Sequence, residues 1–250
     1  MMGAISEKLT YLSDTKKAIK NAIVSKGVEV SDSDSFRSYA DKIVAIEQPA
    51  GGSSDVEDAI LTRSITEYVN SRITSVGNNA LMGSASLKTI YLPNVKTAGN
   101  SSFNACSSLV DVNIPKLETI STQTFYGCSS LMYLTLPSLK TAAVQSFRNC
   151  KKLTVVDLAS CTSISNLAFD TNPSFKCLVL RATSVCSLAN TAAMSNTPIA
   201  SGTGYVYVPS ALVDSYKSAT NWTTYAEQIR ALENYTIDGT TTGEIDMTKI

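Results

Sequence analysis

Cysteine, carboxylate and tyrosine side chains are the groups through which this chain could do chemistry, because none of its 250 residues is histidine. That absence excludes Ser-His-Asp and Cys-His catalysis, His-ligated zinc and histidine-based pH switching. The cysteines, Cys106, Cys128, Cys150, Cys161, Cys177 and Cys186, contain no C-x-x-C pair, so no thiol zinc motif or redox dithiol motif is legible. Paired carboxylates for glycoside hydrolysis must stand ~5 to 9.5 Å apart. Asp111 and Asp157, placed on strands as argued below, fall two strands apart at different positions along them, roughly 10 Å or more. The one S-x-x-K, Ser13 to Lys16, lacks the S-D-N and K-T-G partners that give the motif meaning. Recognition is what remains. Tyr91, Asp111, Asn113, Tyr133, Thr135 and Asp157 combine flat apolar rings with hydrogen-bonding groups, which suits a protein or carbohydrate ligand. No enzymatic activity, cofactor or metal is expected.

An internal repeat must position these residues, and a missed period would misassign the fold. Phe103, Phe125, Phe147 and Phe169 stand 22 residues apart, with Leu81 one step earlier. Leu87, Leu109, Leu131, Leu153 and Phe175 keep the step; so do Ile90, Val112, Leu134, Val156 and Leu178, and Leu92, Ile114, Leu136, Leu158 and Leu180. Two more apolar columns run through Ile73, Val95, Leu117, Leu139 and Cys161, and through Val76, Ala98, Ile120, Ala142, Ile164 and Cys186. The alternation in each L-x-L reads as a half-buried strand, which Pro93, Pro115 and Pro137 terminate because proline cannot donate to a ladder.

One lap buries too little apolar surface to offset the entropy of ordering its backbone, so the laps must stack into a solenoid with capped ends. The column Ser84, Cys106, Cys128, Cys150 and Asn172 then points small polar side chains at inward-facing backbone groups. Its thiols are expected to be buried and reduced. Neighbouring laps bring their Cα atoms to ~5 Å, but parallel Cβ vectors suit a disulfide poorly. The outward strand positions form a grid: Thr89 and Tyr91, Asp111 and Asn113, Tyr133 and Thr135, Val155 and Asp157, Cys177 and Val179.

The blocks Asn100-Ser-Ser-Phe-Asn-Ala-Cys-Ser-Ser-Leu109 and Gln123-Thr-Phe-Tyr-Gly-Cys-Ser-Ser-Leu131, followed by Leu134-Thr-Leu-Pro137, resemble the BspA-like leucine-rich repeats of bacterial and microbial surface proteins. The resemblance runs from about Ile65 to Leu232 and implies an α/β repeat solenoid. Tyr205-Val-Tyr-Val-Pro209 reads as a last strand, and Ser210 to Ser218 and Trp222 to Leu232 as two short helices capped at Ser210 and Asn221. Such a helical cap would close the open end, with Trp222 in its core.

The N-terminal segment reads as a separate small helical domain. Ile5, Leu9, Leu12, Ile19 and Ile23 form one stripe ended by Gly27, and Phe36, Tyr39, Ala40, Ile43 and Ile46 form a second. The stretches Thr15 to Ser31 and Phe36 to Ile43 resemble an N-terminal module of bacteriophage and prophage tail-associated proteins. The expected organisation is therefore an attachment module (1–47), a Gly/Ser linker (48–64), the solenoid (65–200), a cap (201–236) and a flexible tail (237–250).

Basic and acidic residues balance at 21 each, which disfavours nucleic acid as a partner. No apolar run approaches the ~18 to 20 residues of a membrane-spanning helix. Met1 to Lys20 does not read as a secretory signal. Together with the N-terminal likeness, this makes a virion tail protein, made in the bacterial cytoplasm, the first expectation. In that setting the module would mount the chain on other tail proteins or join copies of itself, and the solenoid would contact a host-surface protein or polysaccharide. The alternatives are a bacterial cell-surface adhesin of the same repeat family and an intracellular protein-binding inhibitor or scaffold.

Overall fold

The computed structural model describes residues 65–234. The expected N-terminal module, linker and tail lie outside them.

Each lap carries a longer and a shorter strand, and the 22-residue step is the repeat of both. The first lap holds β1 (Glu67–Val69) and β2 (Ser75–Val76), the second β3 (Thr89–Tyr91) and β4 (Thr97–Ala98), and the third β5 (Asp111–Asn113) and β6 (Thr119–Ile120). The fourth holds β7 (Tyr133–Thr135) and β8 (Thr141–Ala142), the fifth β9 (Val155–Leu158) and β10 (Ser163–Ile164), and the sixth β11 (Cys177–Leu180) and β12 (Ser187–Leu188). All ladders are parallel and in register, as Thr89 opposite Asp111 and Ile90 opposite Val112 show. Each file of strands is interrupted once: β1-β3-β5 and β2-β4-β6 form sheets separate from those that hold β7-β9-β11 and β8-β10-β12.

The inward columns form one continuous core. Phe103, Phe125, Phe147 and Phe169 stack in single file at centroid separations of 4.9, 5.7 and 5.2 Å with rings within 13° of parallel, and Phe175 closes the file at 4.9 Å. This is the offset-stacked arrangement that aromatic quadrupoles favour. The thiol column is buried as expected: Cys106, Cys128 and Cys150 donate to the carbonyls of Leu81, Phe103 and Phe125 at 3.1 to 3.2 Å, and Asn172 takes the equivalent place with a 2.8 Å bond to Phe147 O. Burial pushes the Cys106 thiol up to about 12, so it stays protonated. One ion pair enters the core margin. Arg148 meets the buried Asp170 at 2.7 Å, and Asn196 donates to the other carboxylate oxygen at 2.9 Å.

Two features depart from the column reading. Ile164 pairs with Leu188, not with Cys186, because two extra residues enter between β11 and β12. Each of the first five laps also turns through two left-handed residues, Asn79, Ser101, Gln123, Gln145 and Leu167 in one column and Gly83, Ala105, Gly127, Asn149 and Thr171 in the other. In the second column glycine is the natural occupant, since an L side chain there costs roughly 1 to 2 kcal/mol. Ala105, at φ 59°, is exposed and buries no methyl. Ala105→Gly is therefore expected to stabilise the fold by about 0.5 to 1 kcal/mol, the strain relieved less the unfolded-chain entropy gained. Chemical denaturation measures it, and a loss of stability would refute it.

The cap has the strand that the sequence reads at Tyr205 to Val208, but it ends in a second strand where a helix is expected. β13 (Tyr205–Val208) and β14 (Ile229–Ala231) extend the parallel sheet. Between them lie a 3-10 turn at Ser210–Leu212, the six-residue α1 (Val213–Ser218) and a 3-10 segment at Trp222–Gln228. Ser210 lies inside its turn and does not cap it; Asn221 stands at the cap position, but its amide goes to Leu188 O and Ala189 O. Ile229 to Ala231 pairs as a strand because β13 offers it an open parallel edge, a tertiary effect that outweighs local pattern.

Candidate binding surface

Outward side chains of the longer strands fall into two rows. Register aligns Glu67, Thr89 and Asp111 in one and Val69, Tyr91 and Asn113 in the other. The 22-residue step carries the first row on to Tyr133, in register with Val155 and Cys177, and the second to Thr135, in register with Asp157 and Val179.

The structure brings Tyr91, Asp111, Asn113, Tyr133 and Thr135 together on one exposed face. Tyr91 and Tyr133 keep 42% and 40% of their surface, and by strand spacing they stand roughly 10 to 12 Å apart with Asp111 and Asn113 on the strand between. Val69, Val110 and Met132 add exposed apolar surface at the border. The sixth expected residue, Asp157, is largely covered, its side chain keeping 18% of its surface. Arg181 forks onto it, with Nε donating to both carboxylate oxygens at 3.0 Å and a second nitrogen donating to Oδ2 at 2.7 Å. Asp157 is therefore a paired group at the rim.

Beyond that rim the grid closes, which corrects the sequence reading. Val155, Cys177 and Val179 are buried with Tyr207, and Tyr205 and Leu232 pack against them. The apolar types at these outward positions were the signal: exposed strand positions rarely hold Val, Cys and Val in succession. Burial raises the Cys177 thiol, with the Asp157 carboxylate adding to the effect, so this thiol is not a nucleophile. Sequence reasoning missed Arg181, one residue past its strand, and Arg230, whose guanidinium sits 4.4 Å from the centre of the Tyr205 ring in a cation–π contact. Pairing partners of this kind have no spacing rule that a single sequence displays.

The assembled surface offers two aromatic faces, the Asp111 carboxylate, an amide and a hydroxyl on the adjoining strands of two parallel sheets. Exposed aromatic rings beside hydrogen-bonding groups are the combination that recognition surfaces carry.

The family description "BspA type Leucine rich repeat region" matches residues 62–197 in six copies, just over half of the chain. Among solved structures, a leucine rich cell surface protein from Faecalibacterium prausnitzii A2-165 is 24% identical, with a TM-score of 0.53 over 66% of this chain and 44% of that one. The T. pallidum leucine rich repeat protein is 27% identical over 46% of this chain and 59% of its own, with a TM-score of 0.44. The pneumococcal vaccine antigen PcpA is 16% identical over 67% and 40%, with a TM-score of 0.49. The matches thus span 40 to 59% of the length of these proteins. No curated protein matches the chain.

Proposed function

Because the chain belongs to the BspA-type leucine-rich-repeat proteins, we propose that it is a non-enzymatic adhesion protein that binds a host-surface protein or polysaccharide through the exposed face of its first four laps. One observation carries the reading. The outward strand face is buried over its last laps but open around Tyr91, Asp111, Asn113, Tyr133 and Thr135, and exposed aromatic residues beside hydrogen-bonding groups are what recognition surfaces concentrate. The likeness to the F. prausnitzii cell surface protein supports display on a bacterial cell.

The double variant Tyr91→Ala, Tyr133→Ala tests the face. Binding to immobilised host-surface glycans and extracellular proteins is expected to weaken about 10- to 100-fold, the usual range for aromatic anchors. The thermal midpoint is expected to stay within about 2 °C, since both rings lie outside the core. Unchanged binding, or a loss matched by an equal fall in stability, would make these tyrosines ordinary cross-strand neighbours.

A second reading keeps the same surface but mounts it on a phage tail, supported by the likeness of residues 15–43 to tail-associated modules. Antibody labelling of intact producing cells favours the cell surface. Detection of the chain by mass spectrometry in purified virions favours the tail.

A further inference from the structure

Six buried cysteines serve three different roles in the described fold. Cys106, Cys128 and Cys150 each hold a backbone carbonyl of the preceding lap. Residues in register also project in parallel, which disfavours joining their sulfurs. Cys177 lies apart from the others with Val155, Val179 and Tyr207. Cys161 and Cys186 fit neither group. The extra residues between β11 and β12 carry Cys186 out of the strict alignment, and its sulfur lies 3.9 Å from that of Cys161 with both residues wholly buried.

We propose that Cys161 and Cys186 are a disulfide-forming pair that staples the sixth lap, on which the cap is anchored, to the fifth. Cys186 is where the cap is anchored: its N–H donates to Tyr216 Oη at 2.8 Å, and its carbonyl accepts from Trp222 Nε1 at 2.6 Å. Cys161 belongs to the fifth lap, both of whose strands pair on both sides. A bond between the two sulfurs would tie the cap's anchor point covalently to the fifth lap, while Tyr216 and Trp222 keep their hydrogen bonds to Cys186.

The oxidant is a small disulfide such as oxidised glutathione. Cys161 attacks one of its sulfurs as the thiolate, forming a mixed disulfide and releasing one glutathione thiolate. Cys186 then attacks the Cys161 sulfur and releases the second. The two thiol protons end on the two glutathiones, and the electrons lost by the cysteines reduce the oxidant. The Cys186 thiol, donating to the Cys161 sulfur, holds the Cys161 pKa below the ordinary cysteine range, while Cys186 itself is raised. Because both sulfurs are covered, the reaction proceeds when the cap lifts.

The test is incubation of the full chain with oxidised glutathione through mild thermal cycles, followed by alkylation, digestion without reduction and mass spectrometry. The expected product joins the Cys161 and Cys186 peptides, with Cys106, Cys128, Cys150 and Cys177 alkylated once the chain is unfolded. The thermal midpoint of the oxidised chain is expected to exceed that of the reduced chain by about 5 to 10 °C, from loop closure in the unfolded state. No Cys161–Cys186 product, a different pairing, or a lowered midpoint would overturn the proposal. Cys161→Ala with Cys186→Ala should abolish the redox dependence of the midpoint. The oxidised and reduced wild-type chains suffice should that variant fail to fold.

Discussion

Phe125→Ala is expected to cost about 3 to 5 kcal/mol and to split a single unfolding transition into two. The first part follows from cavity formation: a buried phenylalanine leaves a void that its surroundings fill only in part. Here they can fill very little. The rings of Phe103 and Phe147 sit 4.9 and 5.7 Å from Phe125, and lap spacing is fixed by backbone bonds, so neither ring can move into the space. The second part follows from where Phe125 stands. Both strand files are interrupted between the third and fourth laps. The junction is held by turn bonds such as Gln123 N–H to Val144 O at 3.0 Å, Phe125 N–H to Ser146 O at 2.8 Å and Gly127 N–H to Arg148 O at 2.9 Å, and by the ring stack that passes through Phe125. In a repeat array stability is a sum of lap terms and nearest-neighbour terms. Weakening the neighbour term where the ladders are already broken uncouples the two halves. Circular dichroism across a urea gradient would show a biphasic curve, with the laps before the break unfolding first. A loss below about 1 kcal/mol with undiminished steepness would mean that the turn bonds alone couple the halves.

The stack itself was legible in the sequence because its residues recur with fixed type at fixed spacing, and burial demands that type. Ile90, Leu92, Leu87 and Phe103 could be assigned to the interior from period alone, and all are buried. The left-handed column was not legible. A turn fixes φ but leaves the side chain at least partly in solvent, so Asn79, Ser101, Gln123, Gln145 and Leu167 satisfy one geometry with four residue types. Cys186 was misplaced for the opposite reason: a strict 22-residue count ignores an insertion, and a cysteine is equally at home in either neighbouring column.

On the surface, Tyr91, Asp111, Asn113, Tyr133 and Thr135 were found by strand alternation. The extent of the open face was not, because it depends on the chain that packs over it. Tyr207 and Leu232, far along in sequence, help close what periodicity alone leaves outward at Val155, Cys177 and Val179. The role of Asp157 likewise turns on Arg181, whose reach across the neighbouring strand no pattern announces.

Trp222→Ala is expected to cost about 4 kcal/mol or more and to make the protein prone to self-association. The indole is wholly buried and edge-packed between Tyr216 at 5.2 Å and Tyr225 at 6.3 Å. Truncation therefore removes a large apolar side chain and two aromatic contacts together. It also leaves the Cys186 carbonyl without the 2.6 Å bond from the indole N–H, and an unpaired buried acceptor costs ~1 to 3 kcal/mol in its own right. Tyr216→Phe separates the two contributions. It deletes the hydroxyl that accepts from Cys186 N–H but keeps the ring, and should cost about 1 to 2 kcal/mol. Losing the cap does more than lower stability, because the last lap then presents the apolar face of Phe175, Leu178 and Leu188 and the open edge of β11 to other copies. Light scattering during thermal denaturation should show Trp222→Ala aggregating well below the wild-type midpoint, with Tyr216→Phe close to wild type. If Trp222→Ala stays monomeric and loses no more than Tyr216→Phe, the hydrogen bonds to Cys186 hold the cap and the indole only fills it.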